Sequence, residues 1–349
     1  MPQVVADLLE CPPARRAAIA ALAREFTAGR TVALSTHINA DGDGCGSEVA
    51  LARLLMAMGM RVRIVNPTPW PALYRFLLGA DIEERSREGA AALKGVDLLV
   101  VLDISDVARL GQLADAVRAL TVPRLVIDHH VARDEPAGNV MLSDPSACAT
   151  GELVFDIAQA LGRPITPDVA VPLYVALLTD TGGFRFSNTS PRCHAIAARL
   201  LASGVAPEEI YRTVYASVPV GRLHVLCQAL SSLEHDPAIG LASISLAAGA
   251  LERYGVNAED LDGIVEHPRS IAGTRLALFF RDLGHGKVKV SFRSTGNIDV
   301  NAFARPFGGG GHAKASGALI AGSLEEVKRR VTDAARVYLR EVPAATPTP

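Results

Sequence analysis

Cysteine is scarce and badly placed for cross-linking. The five cysteines, Cys11, Cys45, Cys148, Cys193 and Cys227, lie far apart, form no Cys-x-x-Cys pair and are odd in number. That argues against a disulfide framework and against a thiolate zinc site. Excess charge of one sign is also lacking: 35 Lys and Arg face 37 Asp and Glu, a formal charge of -2. Without a global basic field, no long nucleic acid polymer would be held nonspecifically, so any nucleic acid substrate is short or locally gripped. No run of about 18 apolar residues occurs, and an acidic residue interrupts the amino terminus before a signal core develops. No membrane partner and a cytoplasmic location are therefore expected. A Gly-x-x-x-x-Gly-Lys-Ser/Thr loop is missing as well, which disfavours nucleotide hydrolysis of the ATPase kind.

The 349 residues, 49% of them hydrophobic, are enough to bury a sizeable core and suggest two domains. Short β-branched runs alternate with amphipathic stretches in the first half, the pattern of parallel strands joined by helices. Strands are expected at Thr31 to Thr36, Arg61 to Val65, Asp97 to Asp103 and Arg124 to Asp128. Helices are expected near Arg15 to Thr27, Gly46 to Met58 and Val107 to Leu120, and again from Gly151 to about Ser232. From Gly240 the texture changes to strands that precede a glycine-rich loop and a final charged helix, Ser323 to Glu341. The fold class is thus α/β: a mainly parallel-sheet domain over 1–205, a helical connector over 206–237 and a smaller α/β domain over 238–342. The tail 343–349, rich in Pro, Ala and Thr, reads as disordered.

Chemistry-bearing residues sit where the expected strands end, the place where open α/β sheets bind ligands. His37, Asp41 and Asp43 fall within one glycine-interrupted stretch, Ser35 to Gly44. One imidazole and two carboxylates on a flexible loop can converge on a cation; the plain alternative is helix capping or a polar turn. Asp103 ends a continuous apolar run and, alone, is better explained by a cap before the next helix. Asp128-His129-His130 ends another run, and two titratable rings beside a carboxylate suggest metal ligation plus an orienting or proton-donating partner. Asp180 closes an apolar helix before two glycines, where an acid opposes the helix dipole and needs another reason to be present. A shared cluster of His37, Asp41, Asp43, Asp103, His129 and Asp180 is the economical reading. Its four carboxylates would repel one another unless two divalent cations neutralised them. The mixed donors favour two manganese ions, with magnesium, cobalt or iron as alternatives.

The sequence resembles the DHH phosphoesterases, named for the triplet that here is Asp128-His129-His130. Their His-x-x-x-Asp-x-Asp motif is matched by His37, Asp41 and Asp43, the isolated acid by Asp103 and a later acid by Asp180. The stretch Phe307 to Gly317 is similar to the glycine-rich signature of the DHH-associated carboxyl-terminal domain. The resemblance implies that His37 and Asp41 serve one metal and Asp43 and His129 the other, with Asp103 and Asp180 bridging or assisting. Asp128 would fix a histidine ring, His130 would contact the scissile phosphate or leaving oxygen, and Asp103 joins them in the catalytic set.

In the carboxyl-terminal domain, Arg293, Ser294, Gly309, Gly310, His312 and Ser316 form the expected substrate-binding patch. Backbone amides of the glycine run would approach a phosphate while Arg293 and His312 give charge-assisted bonds. Phe303 or Phe307 is a candidate for stacking on a base, or else part of the core. The family subgroup implied is that of the nanoRNases and 3'-phosphoadenosine-5'-phosphate phosphatases, which cut short oligonucleotides to mononucleotides. Cyclic or linear dinucleotides are the alternative substrates. Pyrophosphate hydrolysis, single-strand DNA exonuclease action and a non-catalytic dinucleotide-binding regulator rank below these. A homodimer is the assembly the resemblance suggests.

Overall fold

Alternating residues of the first strands face two different cores, and this fixes the architecture of the amino-terminal half. In the computed structural model, which describes residues 2–132, 134–311 and 313–342, six strands form one parallel sheet. They are β1 (Thr31–Ser35), β2 (Arg61–Ile64), β3 (Glu83–Glu84), β4 (Leu98–Leu102), β5 (Arg124–Asp128) and β6 (Val140–Ser143), in the order β3-β2-β1-β4-β5-β6. Val32, Leu34, Leu98 and Val100 point into the larger core, while Ala33, Leu99 and Val101 point into the other. Both faces of β1 and β4 are buried, as an uninterrupted apolar run requires in a parallel sheet.

Helices α1 (Pro2–Leu9), α2 (Pro13–Ala23), α3 (Gly42–Ala57), α4 (Ala114–Ala119), α5 (Thr150–Ala160), α6 (Pro167–Asp180), α7 (Pro191–Leu201) and α8 (Pro207–Tyr215) complete this half. The helix expected over Val107 to Leu120 is broken: a 3-10 segment, Val107–Leu113, precedes α4, with Gly111 at a non-helical φ of 49°. Helix α3 starts at Gly42, four residues before the expected Gly46, so Asp43 lies in a helical first turn while residues 36–41 remain a loop.

The chain divides into two compact units, Met1–Ala216 and Ser217–Pro349. Helix α8 belongs to the first and α9 (Val220–Ser231) to the second. The second unit holds strands β7 (Glu234–Asp236), β8 (Leu241–Leu246), β9 (Leu276–Asp282), β10 (Lys287–Ser294), β11 (Gly310–Gly311) and β12 (Ala315–Ala321), ordered β11-β12-β10-β9-β8-β7. All neighbours are antiparallel except β8 and β9. Helices α10 (Ala250–Tyr254), α11 (Glu266–Arg269), α12 (Val300–Ala304) and α13 (Leu324–Glu341) flank it. A capping box between Ser323 and Glu326 starts α13, and Val327, Val331, Ala335 and Leu339 recur at four-residue spacing to cover the sheet. The tail 343–349 expected to be disordered lies outside the described residues.

A buried ion network ties the first unit's helices together. Arg15 on α2, 3% exposed, donates to Asp144 at 2.6 Å, Glu152 at 2.6 Å and Asp156 at 2.8 Å. Glu152 and Asp156 are one turn apart on α5, and Arg192 of α7 pairs with both. Removing one member of such a network strands buried charge. Arg15→Met should therefore lower unfolding free energy by about 3–5 kcal/mol, measured by urea denaturation; an unchanged midpoint would show that the network is dispensable.

Candidate metal centre

Because β1, β4 and β5 are neighbours in the sheet, the residues that leave their carboxyl ends, His37, Asp103 and His129, emerge side by side. Helix α3 adds Asp41 and Asp43 from its amino terminus, and α6 adds Asp180 as its last residue. The structure brings all six predicted ligands together. His37, Asp41 and Asp103 form one group able to hold a metal ion; Asp43, His129 and Asp180 form a second. Asp103 reaches both: its Oδ2 lies 3.3 Å from His37 Nε2 and its Oδ1 3.6 Å from His129 Nε2. It does so from a left-handed backbone, φ 63°, a conformation that Asp tolerates better than most residues and that recurs at functional sites.

The histidines are oriented as ligands. His37 Nδ1 lies 2.9 Å from the Ile38 carbonyl and His129 Nδ1 lies 3.3 Å from that of Ala147, so each Nδ1–H donates to backbone and, in the neutral ring, Nε2 is the nitrogen left to a cation. His129 Nε2 is buried with no hydrogen-bond partner. Around it stand Asp43, Asp103 and Asp180 oxygens at 3.6, 3.6 and 3.7 Å, too far for hydrogen bonds. A nitrogen lone pair facing three carboxylates across such gaps fits a shared cation.

The electrostatics point the same way. Burial, then Asp43, pushes the Asp103 carboxyl well above the ordinary range; burial likewise raises Asp43 against the pull of His129. Asp180 is raised to about 7, by burial first and Asp43 second. Burial disfavours the charged His37 ring, but Asp103 and Asp41 outweigh it and raise the ring to about 10. Burial leads the shifts of the three acids and their mutual repulsion adds to it; bound divalent cations would offset that excess of negative charge.

Asp128 is fully buried and holds His130 rather than His129. Its Oδ1 accepts from His130 Nδ1 at 2.8 Å and from the His130 amide at 3.0 Å, while Oδ2 accepts from the Ser105 hydroxyl at 2.7 Å. Burial opposes charge on His130, yet Asp128 prevails and raises its pKa.

Supporting residues outside the motifs escape sequence reading. The amides of Thr150 and Gly151, at the start of α5, donate to Asp43 at 2.6 and 3.0 Å, and the Thr150 hydroxyl donates to Asp103 at 3.0 Å. Asp43 thus caps a helix from 107 residues away, with the dipole of α5 favouring its charge. The available signal is negative: Ala149 stands at the N-cap with no side-chain cap, where Ser, Thr, Asp or Asn is usual. Asn188 adds a bond to Asp180 at 3.1 Å.

In the second unit the expected patch is reorganised. Ser294 is buried and its hydroxyl donates to the Ile298 carbonyl at 2.8 Å, so it is not presented to a ligand. Ser316 is also buried, on β12 opposite Gly311. The glycine run is not a free loop, because Gly310–Gly311 pairs with β12 as an edge strand and Gly309 packs against Gly317 and Ala318. Gly310 is exposed, and Arg293 is half-buried and paired with Glu266 at 3.1 Å. His312 lies outside the described residues. Phe303 is buried beside Phe292 in the hydrophobic core, which gives it the packing role, while Phe307 is partly buried and packs against the same cluster.

With this geometry in hand, comparisons with known proteins agree on one family. The DHH family N-terminal domain matches residues 31–177 and the DHHA1 domain residues 241–341. A Thermus thermophilus protein named bifunctional oligoribonuclease and PAP phosphatase NrnA is 33% identical over 88% of this chain and 89% of its own. Its Bacillus subtilis namesake is 28% identical over 89% and 96%. Among solved structures, an exopolyphosphatase-related protein from Bacteroides fragilis superposes with a TM-score of 0.87 at 28% identity, covering 93% of this chain and 97% of that one. A manganese complex of RecJ from Thermus thermophilus shares the fold, at TM-score 0.57 and 16% identity, over 97% of this chain and 57% of that one. The chain belongs to the DHH family, in the form that carries a DHHA1 domain after the DHH domain.

Proposed function

We propose that this protein is a phosphoesterase that uses two divalent cations, manganese first among them, to cut short oligoribonucleotides to mononucleotides and to dephosphorylate 3'-phosphoadenosine-5'-phosphate. The observation that carries the reading is Asp103, whose two oxygens reach toward two separate histidine–carboxylate groups. The names of the full-length relatives, oligoribonuclease and PAP phosphatase, supply the substrate class.

His37, Asp41 and Asp103 would hold one ion, and Asp43, His129, Asp180 and Asp103 the other. Bound divalent cations lower the pKa of water and offset charge on a phosphoryl group. The protein's own residues do the rest. Backbone carbonyls of Ile38 and Ala147 fix the imidazole tautomers, and the α5 amides keep Asp43 aimed inward. His130, held by Asp128 and charged over a wider pH range than a free histidine, would donate from Nε2 to the scissile phosphate or the departing oxygen. In the second unit, Arg293, Gly310 and His312 would grip a phosphate that does not react, with Arg293 exchanging its Glu266 partner for the ligand.

The direct test offers the manganese-loaded protein a 5'-phosphorylated RNA dinucleotide, a long RNA, 3'-phosphoadenosine-5'-phosphate, cyclic di-AMP and pyrophosphate. Release of mononucleotide from the dinucleotide, lost in Asp103→Asn together with tight manganese binding, is the expected result. Turnover of pyrophosphate alone, or full activity in Asp103→Asn, would overturn it. Thr150→Val, which removes only the hydroxyl behind Asp103, should lose about 10–100-fold in metal affinity or activity, read by titration calorimetry; no change would deny Thr150 its supporting role.

Metal removal gives a pH test with a defined sign. Without cations, Asp43, Asp103 and Asp180 hold protons that the unfolded chain releases above about pH 4, so stability falls as pH rises, through about 7 for Asp180. His37, raised to about 10, acts in the same direction, because its stabilisation is lost as pH rises through its folded pKa. Chelated protein should therefore melt lower at pH 8 than at pH 5.5, and added manganese should recover more stability at pH 8. A chelated protein that melts higher at pH 8 would contradict the charge balance described.

A further inference from the structure

A cavity of about 240 Å³ opens beside the metal centre, lined by Asp41, Gly42, Tyr74, Thr179, Asp180 and Tyr215. Two of its walls belong to the carboxylate cluster. Two others are aromatic and lie outside every motif that marks the metal site. Tyr74 comes from a 3-10 turn, Ala72–Leu77, and is buried. Tyr215 is the last residue of α8. Its hydroxyl donates to the Leu178 carbonyl at 3.3 Å, yet the residue remains 38% exposed. One turn earlier on the same helix, Tyr211 is 55% exposed, and the two rings stand 5.3 Å apart at 50°.

Packing does not account for this arrangement. Helix α8 meets the core through Ile210, its one buried residue, and the partly buried Val214, so neither exposed tyrosine is needed to close the core. A ring anchored at its hydroxyl and left open beside an anionic metal cluster offers a flat apolar surface next to the place where a phosphate would be attacked. Purine and pyrimidine bases stack on such rings with little regard for sequence. The volume is below the roughly 300–1,000 Å³ of pockets for drug-sized ligands, which suits one nucleoside rather than a longer fragment. In the second unit Phe303 is buried in the core and Phe307 packs against it, whereas Tyr74 and Tyr215 line the cavity together with Asp41 and Asp180.

We propose that this cavity is a nucleobase subsite in which the Tyr215 ring stacks on the base of the nucleotide at the metal centre, with Tyr74 forming the opposite wall. Tyr211 extends the aromatic surface outward by one helical turn. Sequence-tolerant recognition of a single base follows, and the proposal rests on the hydrolytic reading above only for the identity of the ligand class.

Equilibrium binding to the full-length, manganese-loaded protein tests it, with adenosine 5'-monophosphate and ribose 5-phosphate as probes. Tyr215→Ala and Tyr215→Leu should each weaken adenosine monophosphate binding by about tenfold or more, while Tyr215→Phe keeps wild-type affinity. Ribose 5-phosphate and manganese should bind wild type and variants alike. Wild-type affinity for adenosine monophosphate in Tyr215→Ala, equal losses for both probes, or no base-dependent binding by the wild type would each overturn the subsite. Dinucleotide cleavage measured in parallel separates the two readings. Base-dependent binding without cleavage sinks the hydrolase and keeps the subsite; cleavage indifferent to Tyr215 does the reverse.

Discussion

Four carboxylates, those of Asp41, Asp43, Asp103 and Asp180, have to be held within reach of one another against their own repulsion, and much of the first unit can be understood from that requirement. Asp41 caps α3 by accepting from the amides of Asp43 and Gly44. Asp43 accepts from the first amides of α5 and from the Ser47 hydroxyl. Hydrogen bonds to the charged form lower the cost of keeping it ionised. Helix α5 in turn carries Glu152 and Asp156 into the grip of buried Arg15 and of Arg192. The same helix therefore presents amides to the site and is pinned by an ion network further along.

Sheet order converts this local chemistry into a centre. Since β1 lies between β2 and β4, and β5 follows β4, the ligand-bearing exits of three strands fall next to each other without any long loop. A buried polar chain stiffens the exit of β1: the Thr36 amide donates to Asn66, whose side-chain amide donates to Glu48 at 2.9 Å. Burial raises Glu48 to about 8 despite that bond, which favours its neutral form and lessens the negative charge near His37. Close approach is bought with glycine. A Cβ at Gly42 would meet Thr179 at 2.5 Å and one at Gly46 the Pro172 carbonyl at 2.4 Å, which is why α3 tolerates residues that weaken a helix interior.

The sequence made β1, β4 and β5 legible because their apolar runs are buried on both faces, β2 legible because its apolar residues alternate with arginines, and the six candidate ligands legible because they cluster at the ends of ordered elements. What it concealed has physical reasons. β3 has two residues, both acidic, and β6, Val-Met-Leu-Ser, is short and lacks alternation of apolar and polar residues. β12 reads Ala-Ser-Gly-Ala-Leu-Ile-Ala, small residues that blend into the preceding glycines. Thr150 and Gly151 act through backbone amides across 107 and 108 residues, and no spacing rule reports a contact of that kind. Tyr215 looks like any polar-faced helix end until α8 is placed against the 3-10 turn that carries Tyr74.

The glycine-rich stretch shows how one motif divides its labour. Gly309 has no room for a side chain, since a Cβ there would lie 2.4 Å from the Gly317 carbonyl, and Gly311 is closed in the same way by the Ala315 carbonyl at 2.6 Å. These two glycines let the edge strand lie flat on β12. Gly310 has no such neighbour: its nearest contact would be Asn301 Oδ1 at 3.8 Å. An alanine at Gly310 is therefore accommodated by the fold, whereas the same change at Gly309 or Gly311 has to displace backbone. Packing therefore does not call for glycine at position 310, and the proposed approach of a ligand phosphate to this exposed backbone would use the space left there.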